Sequence, residues 1–222
     1  AFHNGFVYPI EELAEFCREK GILFVVDAIQ GLGALPLDVS ETPLDVLVAD
    51  AHKWLLGPEA CALFYVSENA RERVPPLAAG WWNVKSAQSY LDYRLDFHLG
   101  GRRYEAGSLP TAQLAGLQSA LGLLEEMGPE TVRERILRTN ESLKIGLLQR
   151  GWKILSPEPL RSGILSALPP GADERQAAKA LEGKGIILSP REGALRFSPH
   201  ASNDAQEVAR VLEAVDAIAQ NP

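Results

Sequence analysis

A lysine and an aspartate carry the first chemical suggestion in this sequence. Lys53 stands in the segment ADAHKWLLGP, just past a run of apolar residues. A lysine dehydrated by apolar neighbours loses proton affinity, and its amine becomes a nucleophile able to form a Schiff base. Trp54, Leu55 and Leu56 follow it and are expected to supply such a pocket. A lone lysine more often snorkels its amine into water. Asp27 closes a second apolar run, ILFVVD. Ligands of open α/β sheets gather beyond the C-terminal ends of strands, and a carboxylate placed there is costly unless a cation meets it. By itself Asp27 reads equally well as a turn former. Gln30 follows three residues later, where the next turn can return it to the same place, and His52 adjoins the lysine. Asp27, Gln30, His52 and Lys53 in one arrangement weaken the reading of Lys53 as an ordinary surface residue.

The elements that must position these groups follow from periodicity. Pro9 to Lys20 predicts a helix, with Ile10, Leu13, Ala14 and Cys17 on one stripe and Gly21 as its stop. ILFVVD and LDVLVAD (Leu44 to Asp50) are apolar runs that close on an acid, the pattern of parallel strands buried on both faces. CALFYV, Cys61 to Val66, predicts a third strand. Residues 75 to 110 are irregular, and a long loop in a compact protein is usually functional or an interface. Leu114, Leu117, Leu121 and Leu124 mark a helix from Thr111, and a second runs from Pro129 to about Arg150. After Gly151 short strands are expected at Trp152–Leu155, Gly163–Leu168, Gly185–Leu188 and Ala194–Phe197, around a helix near Asp173–Glu182. A last helix is expected from Asn203, as N-cap, to Gln220. The expected class is α/β, with a larger part over residues 1–150 and a small C-terminal α/β domain over 151–222.

Composition narrows the partners. The 222 residues carry a formal net charge of -7, and 46% are hydrophobic, a globular composition. An acidic surface without a Lys/Arg cluster argues against nucleic acid. No apolar run approaches the ~20 residues that span a bilayer, so no membrane helix is expected. Two cysteines, Cys17 and Cys61, make no disulfide framework; a reducing, cytoplasmic setting fits, and both are expected in the core. No two histidines stand at metal-ligand spacing, so no metal is expected. GLG at Gly31–Gly33 lacks the dinucleotide fingerprint. The chain begins at Ala1 and its only methionine is Met127, so it is expected to be part of something longer.

VVDAIQ followed by DAHKWLLGP resembles the aminotransferase class V family, which includes cysteine desulfurases and isopenicillin N epimerase-like proteins. RYEAGS (Arg103 to Ser108) and LRFSPH (Leu195 to His200) resemble two further segments of that family, in the family's order. The resemblance implies the C-terminal part of a fold type I enzyme dependent on pyridoxal 5'-phosphate (PLP): the remainder of a large domain with a mainly parallel sheet, plus the small domain. It implies Lys53 as the Schiff-base lysine that also moves the substrate's α-proton. Asp27 is implied as partner of the protonated pyridine nitrogen, and Gln30 as donor to the ring's phenolic oxygen. His52 is implied near the phosphate or the ring, Ser108 at the cofactor phosphate of a partner subunit in a homodimer, and Arg196 as a clamp on the substrate carboxylate. The substrate would be an amino acid or related amine, with transamination, epimerisation and elimination all open. The alternative is a non-catalytic remnant or association module without PLP. Asp50 stands where relatives often carry a phosphate-contacting Ser, and its charge would repel phosphate unless it points elsewhere. The phosphate loop and ring-stacking aromatic are expected upstream of Ala1, so the isolated chain is expected to hold PLP weakly. Desulfurase chemistry is not expected, because Gly185 to Phe197 contains no cysteine.

Overall fold

The structure is a computed structural model that describes residues 1–89, 91, 93–171 and 173–219. Its residues cluster into two compact units. One comprises Pro9–Ile29 and Leu37–Leu123; the other comprises Ala1–Tyr8, Gln30–Pro36 and Leu124–Pro222.

The first unit opens with α1 (Ile10–Lys20), which has Glu11 and Glu12 in its first turn and Arg18 and Lys20 in its last, matched to the helix dipole. Gly21 ends it at φ 64, and the N–H of Ile22 reaches back to the Cys17 carbonyl at 2.8 Å. Only Ala14 of the expected stripe is buried; Ile10 and Cys17 are half-buried and Leu13 is exposed, so Cys17 is not the core residue expected. β1 (Val25–Asp27) pairs in parallel with β2 (Val46–Asp50), which pairs antiparallel with β3 (Ala62–Val66). β2 lies in the middle and buries Val46, Leu47 and Ala49. β1 is shorter than the apolar run predicts, and Val25 is 54% exposed instead of buried on both faces, because β1 is the outer strand of this sheet.

Among the described residues of 75 to 110 there is no long element, as expected, but the loop is tied at several points. Val84 bridges Phe97 antiparallel, flanked by Lys85 N–H to the Asp96 carbonyl (2.8 Å) and His98 N–H to the Asn83 carbonyl (2.9 Å). The Asn83 side chain is 0% exposed; its Oδ1 accepts from Gly80 N–H, and its Nδ2 donates to the carbonyls of Ala78 and Arg103. At Gly80 the chain passes so close to Ala106 that a Cβ would sit 1.9 Å from that residue's carbonyl oxygen. A 3-10 turn, Gly101–Tyr104, then leads to α2 (Thr111–Met127).

In the second unit α3 (Pro129–Leu148) starts with Pro in its first turn and buries Val132, Ile136, Leu143 and Leu147 along one face. That face packs with a four-stranded antiparallel sheet of order β4-β5-β7-β6, formed by β4 (Lys153–Ile154), β5 (Leu165–Leu168), β6 (Ser189–Arg191) and β7 (Ala194–Phe197). Strand alternation turns Leu165, Ala167, Leu195 and Phe197 into a core completed by Trp152, Leu181 of α4 (Glu174–Glu182) and Val215 of α5 (Ala205–Ala219). Arg150 forks onto both carboxylate oxygens of Asp216 at 2.7 Å and fastens the end of α3 to α5.

Two further sequence expectations are corrected here. The strand expected at Gly185–Leu188 lies at Ser189–Arg191, and Ile187 is 86% exposed. The turn sets this register: Glu192 (φ 48) and Gly193 (φ 81) form a two-residue hairpin turn of type I′ geometry, which pairs Arg191 with Ala194 and Ser189 with Arg196. The N-cap of α5 is Asp204, not Asn203. Asp204 Oδ1 accepts from Gln206 and Glu207 N–H, while Glu207 accepts from Asp204 N–H, a capping box. Asn203 instead accepts from His200 N–H and donates to Glu207. The expected end of that helix at Gln220 lies outside the described residues. Among the described residues no helix is long and apolar enough to cross a membrane.

Candidate functional site

β1 and β2 are parallel, so their C-terminal ends share one edge of the sheet. Asp27 is the last residue of β1 and is exposed; its Oδ1 accepts the Ile29 N–H at 3.0 Å, which makes it a turn former. Ala28 N–H still bonds the Val48 carbonyl at 2.8 Å, which fixes the start of that turn against β2.

Asp27 lies opposite Val48 in register, and Asp50 is two residues further along β2, so both carboxylates stand on the same face. Asp50 does point to the site face. It is balanced by His52, whose Nδ1 is 3.1 Å from Asp50 Oδ1. That oxygen is buried, and the imidazole meets it off the hydrogen-bond axis, so the pair has ion-pair distance without a well-aligned N–H. Contact with the His52 side chain holds the Asp50 carboxyl below the usual carboxylate range.

Lys53 occupies the turn that follows. Ala51 N–H bonds the Cys61 carbonyl, Gly57 N–H bonds the Ala51 carbonyl, and Leu56 N–H bonds the Lys53 carbonyl, all at 2.9 to 3.0 Å. Leu56 takes a left-handed φ of 57 to complete it. Trp54 (6% exposed) and Leu55 (3%) turn into the core, whereas His52 and Lys53 are exposed. Trp54 and Leu55 therefore do not enclose the exposed lysine, contrary to the sequence expectation, and Leu56 is itself exposed.

Ser108 is exposed on the short segment between the Gly101–Tyr104 turn and α2, and the Asn83 and Gly80 ties hold the start of that segment. Tyr104 adds an O–H to the Val74 carbonyl at 2.8 Å. Gln30 and Arg196 belong to the second unit. Gln30 is half-buried in a turn. Arg196 is half-buried on β7; its Nη1 donates to the Phe2 carbonyl at 3.0 Å, and its buried Nε has no hydrogen-bond partner. Burial, and then the charge of nearby Arg191, lower its pKa from the ordinary arginine value.

The aminotransferase class-V family model matches residues 3–211. This chain belongs to the aminotransferase class-V family. Among curated class-V relatives, an uncharacterized aminotransferase of Bacillus subtilis is 27% identical over 97% of the chain, and isopenicillin N epimerase of Streptomyces clavuligerus is 28% identical over 97%. The chain spans 57% of the length of each. Among solved structures, a C-DES mutant with glycine covalently linked to its PLP cofactor superposes with a TM-score of 0.89 at 25% identity, covering 96% of this chain and 57% of that one. The α/β fold is that of the fold type I class-V enzymes.

Sequence reasoning missed the Asp50–His52 pairing and the Asn83 hub. An acid two residues before a histidine at a strand end is a signal for the first. Nothing in the local sequence distinguishes Asn83 from an ordinary loop asparagine, because its three partners come from residues 78, 80 and 103.

Proposed function

We propose that this chain is the C-terminal part of a PLP-dependent enzyme that acts on an amino acid or related amine, with Lys53 holding the cofactor. The observation that supports this reading most is the shared sheet edge, where Asp27 and the Asp50–His52–Lys53 turn lie at the ends of neighbouring parallel strands. An exposed amine and an exposed carboxylate suit a group that has an aldehyde and a basic ring nitrogen. When bound, PLP supplies an electron sink for bond breaking at the amine-bearing carbon.

In this reading Asp27 keeps the ring nitrogen's proton in place, and Gln30 donates a hydrogen bond to the ring oxygen. His52, paired with Asp50 behind it, serves the phosphate or ring surroundings. Protonation of the imidazole would offset the Asp50 charge beside an incoming anion. Ser108 serves the phosphate of a partner subunit in a homodimer. Arg196 grips the substrate carboxylate, and Lys53 Nζ holds or moves the proton at the amine-bearing carbon. That proton movement is common to transamination, epimerisation and elimination. Residues 1–150 are the remainder of the cofactor-bearing domain with its connecting helices, and 151–222 the small domain, in a cytoplasmic enzyme. Sulfur transfer is disfavoured: the segment before Arg196 is a hairpin with a two-residue turn and no cysteine, so it offers no mobile thiolate.

Borohydride reduction of the whole PLP-loaded polypeptide, followed by peptide mapping, tests the reading. The adduct should sit on Lys53. Lys144 is held as a cation by Glu141 and Glu158, and Lys85 is paired with Asp96, so neither amine is free to react. An adduct on Lys85 or Lys144 would overturn the assignment.

A further inference from the structure

β6 and β7 place a second guanidinium beside the first. Ser189 is opposite Arg196, and Arg191 is opposite Ala194. Side chains alternate along a strand, so Arg191, two residues past Ser189, emerges on the same face as Arg196, on the diagonal. Diagonal neighbours are about 7–8 Å apart at the backbone, within reach of long side chains. The opposite face of these strands carries Leu195 and joins the core, so the polar face is set apart from it. Arg191 is not on a loose loop: it is the last residue before the tight Glu192–Gly193 turn, whose positive φ values fix the hairpin.

Two guanidiniums on one face repel each other, and the Arg191 charge acts on Arg196. The arrangement carries no internal remedy. Arg191 Nη1 donates to the neighbouring Pro190 carbonyl and Arg196 Nη1 to the Phe2 carbonyl; among the described residues neither is ion-paired with a carboxylate, and the buried Arg196 Nε is left without an acceptor. A group with negative charge at two points relieves the repulsion, and fork-shaped guanidiniums suit carboxylates.

We propose that Arg191 and Arg196 together select a substrate with two anionic groups: an amino acid whose α-carboxylate meets Arg196 and whose acidic side chain meets Arg191. The proposal rests on the reading of Arg196 as carboxylate clamp and adds the specificity that reading leaves open. Arg191 is then a specificity residue, dispensable for amines with a single carboxylate.

Equilibrium binding of two unreactive probes, succinate and butyrate, to the whole PLP-loaded polypeptide separates the two ideas by calorimetry. Succinate should bind at least tenfold more tightly than butyrate at low salt, and the gap should narrow as salt is added. Arg191→Leu should bring succinate down to the butyrate level while butyrate changes less than twofold; Arg191→Lys, which keeps the charge and guards against a folding defect, should retain part of the gap. Arg196→Lys should weaken both probes. If Arg191→Leu leaves the succinate-to-butyrate ratio unchanged while Arg196→Lys weakens both, the second-anion proposal fails and the clamp stands. If Arg196→Lys changes neither, or neither probe binds, the clamp fails and the proposal falls with it.

Discussion

At the scale of single residues, Asp50 and His52 are the informative pair. A carboxylate beside a proposed phosphate-binding turn is a liability on its own, and His52, two residues away, places its Nδ1 3.1 Å from Asp50 Oδ1. The consequence is a pH dependence with a definite sign. The Asp50 carboxyl sits below its ordinary value because of His52, so its contribution to stability is present above the unfolded-state carboxylate pKa and is lost as pH falls through the lower folded value. His52→Ala should move the Asp50 titration up toward the usual carboxylate range, as followed by carboxyl-carbon NMR. An Asp50 titration indifferent to His52→Ala would mean the pair is a geometric accident. The Asp27 side chain is exposed and closes a turn through one oxygen, so a residue legible as a turn former from sequence is not thereby excluded from chemistry.

At the scale of elements, the loop over residues 75 to 110 has more internal order than its lack of helices and strands suggests. Asn83 bonds three backbone groups, at Ala78, Gly80 and Arg103, from a position with no access to water. Asn83→Ala leaves a buried N–H and two carbonyls without that partner, which should cost on the order of 3 kcal/mol. Urea unfolding measures this, and a loss under ~0.5 kcal/mol would show that water takes over the bonds. Elements with strong local patterns were legible: β7 falls on Ala194–Phe197 as its alternation predicts, and α3 starts at the expected Pro129. Those whose limits depend on distant partners were not. The N–H of Phe24 is taken by the Asp45 side chain at 2.8 Å and not by a ladder, so β1 begins at Val25. β6 slid three to four residues because the Glu192–Gly193 turn, and not its own apolar residues, sets its pairing.

At the scale of the molecule, the loop over residues 75 to 110 leaves a run of apolar side chains in water. Leu91, Tyr93, Leu95 and Leu99 are all exposed. Exposed apolar side chains close together in sequence suit an interaction site, in keeping with the proposed homodimer. The protein should self-associate as its concentration rises through the micromolar range in sedimentation velocity, and the Leu91/Leu95/Leu99→Ser variant should stay smaller at equal concentration. Identical profiles for the two would remove these residues from any interface. The sequence pointed to this loop as interface or functional region from its irregularity; Asp27, His52 and Lys53 stood out because they close or follow apolar runs, whereas Ser108 was marked only by the family resemblance. What periodicity does not carry is the direction of a turn, and so Lys53 was expected among apolar walls while Trp54 and Leu55 are in fact buried and the lysine exposed.

The close pass of Gly80 by Ala106, with Asn83 bonded to the Arg103 carbonyl, shuts the base of that loop like a drawstring. Whatever the chain does between residues 86 and 95 is thereby uncoupled from Ser108 beyond the knot. Lengthening a closed loop adds only a slowly growing entropy, so this stretch can gain or lose residues among descendants of one ancestor without shifting Ser108. Variation in length would be cheap there and in sequence dear at the knot, where only glycine fits at position 80.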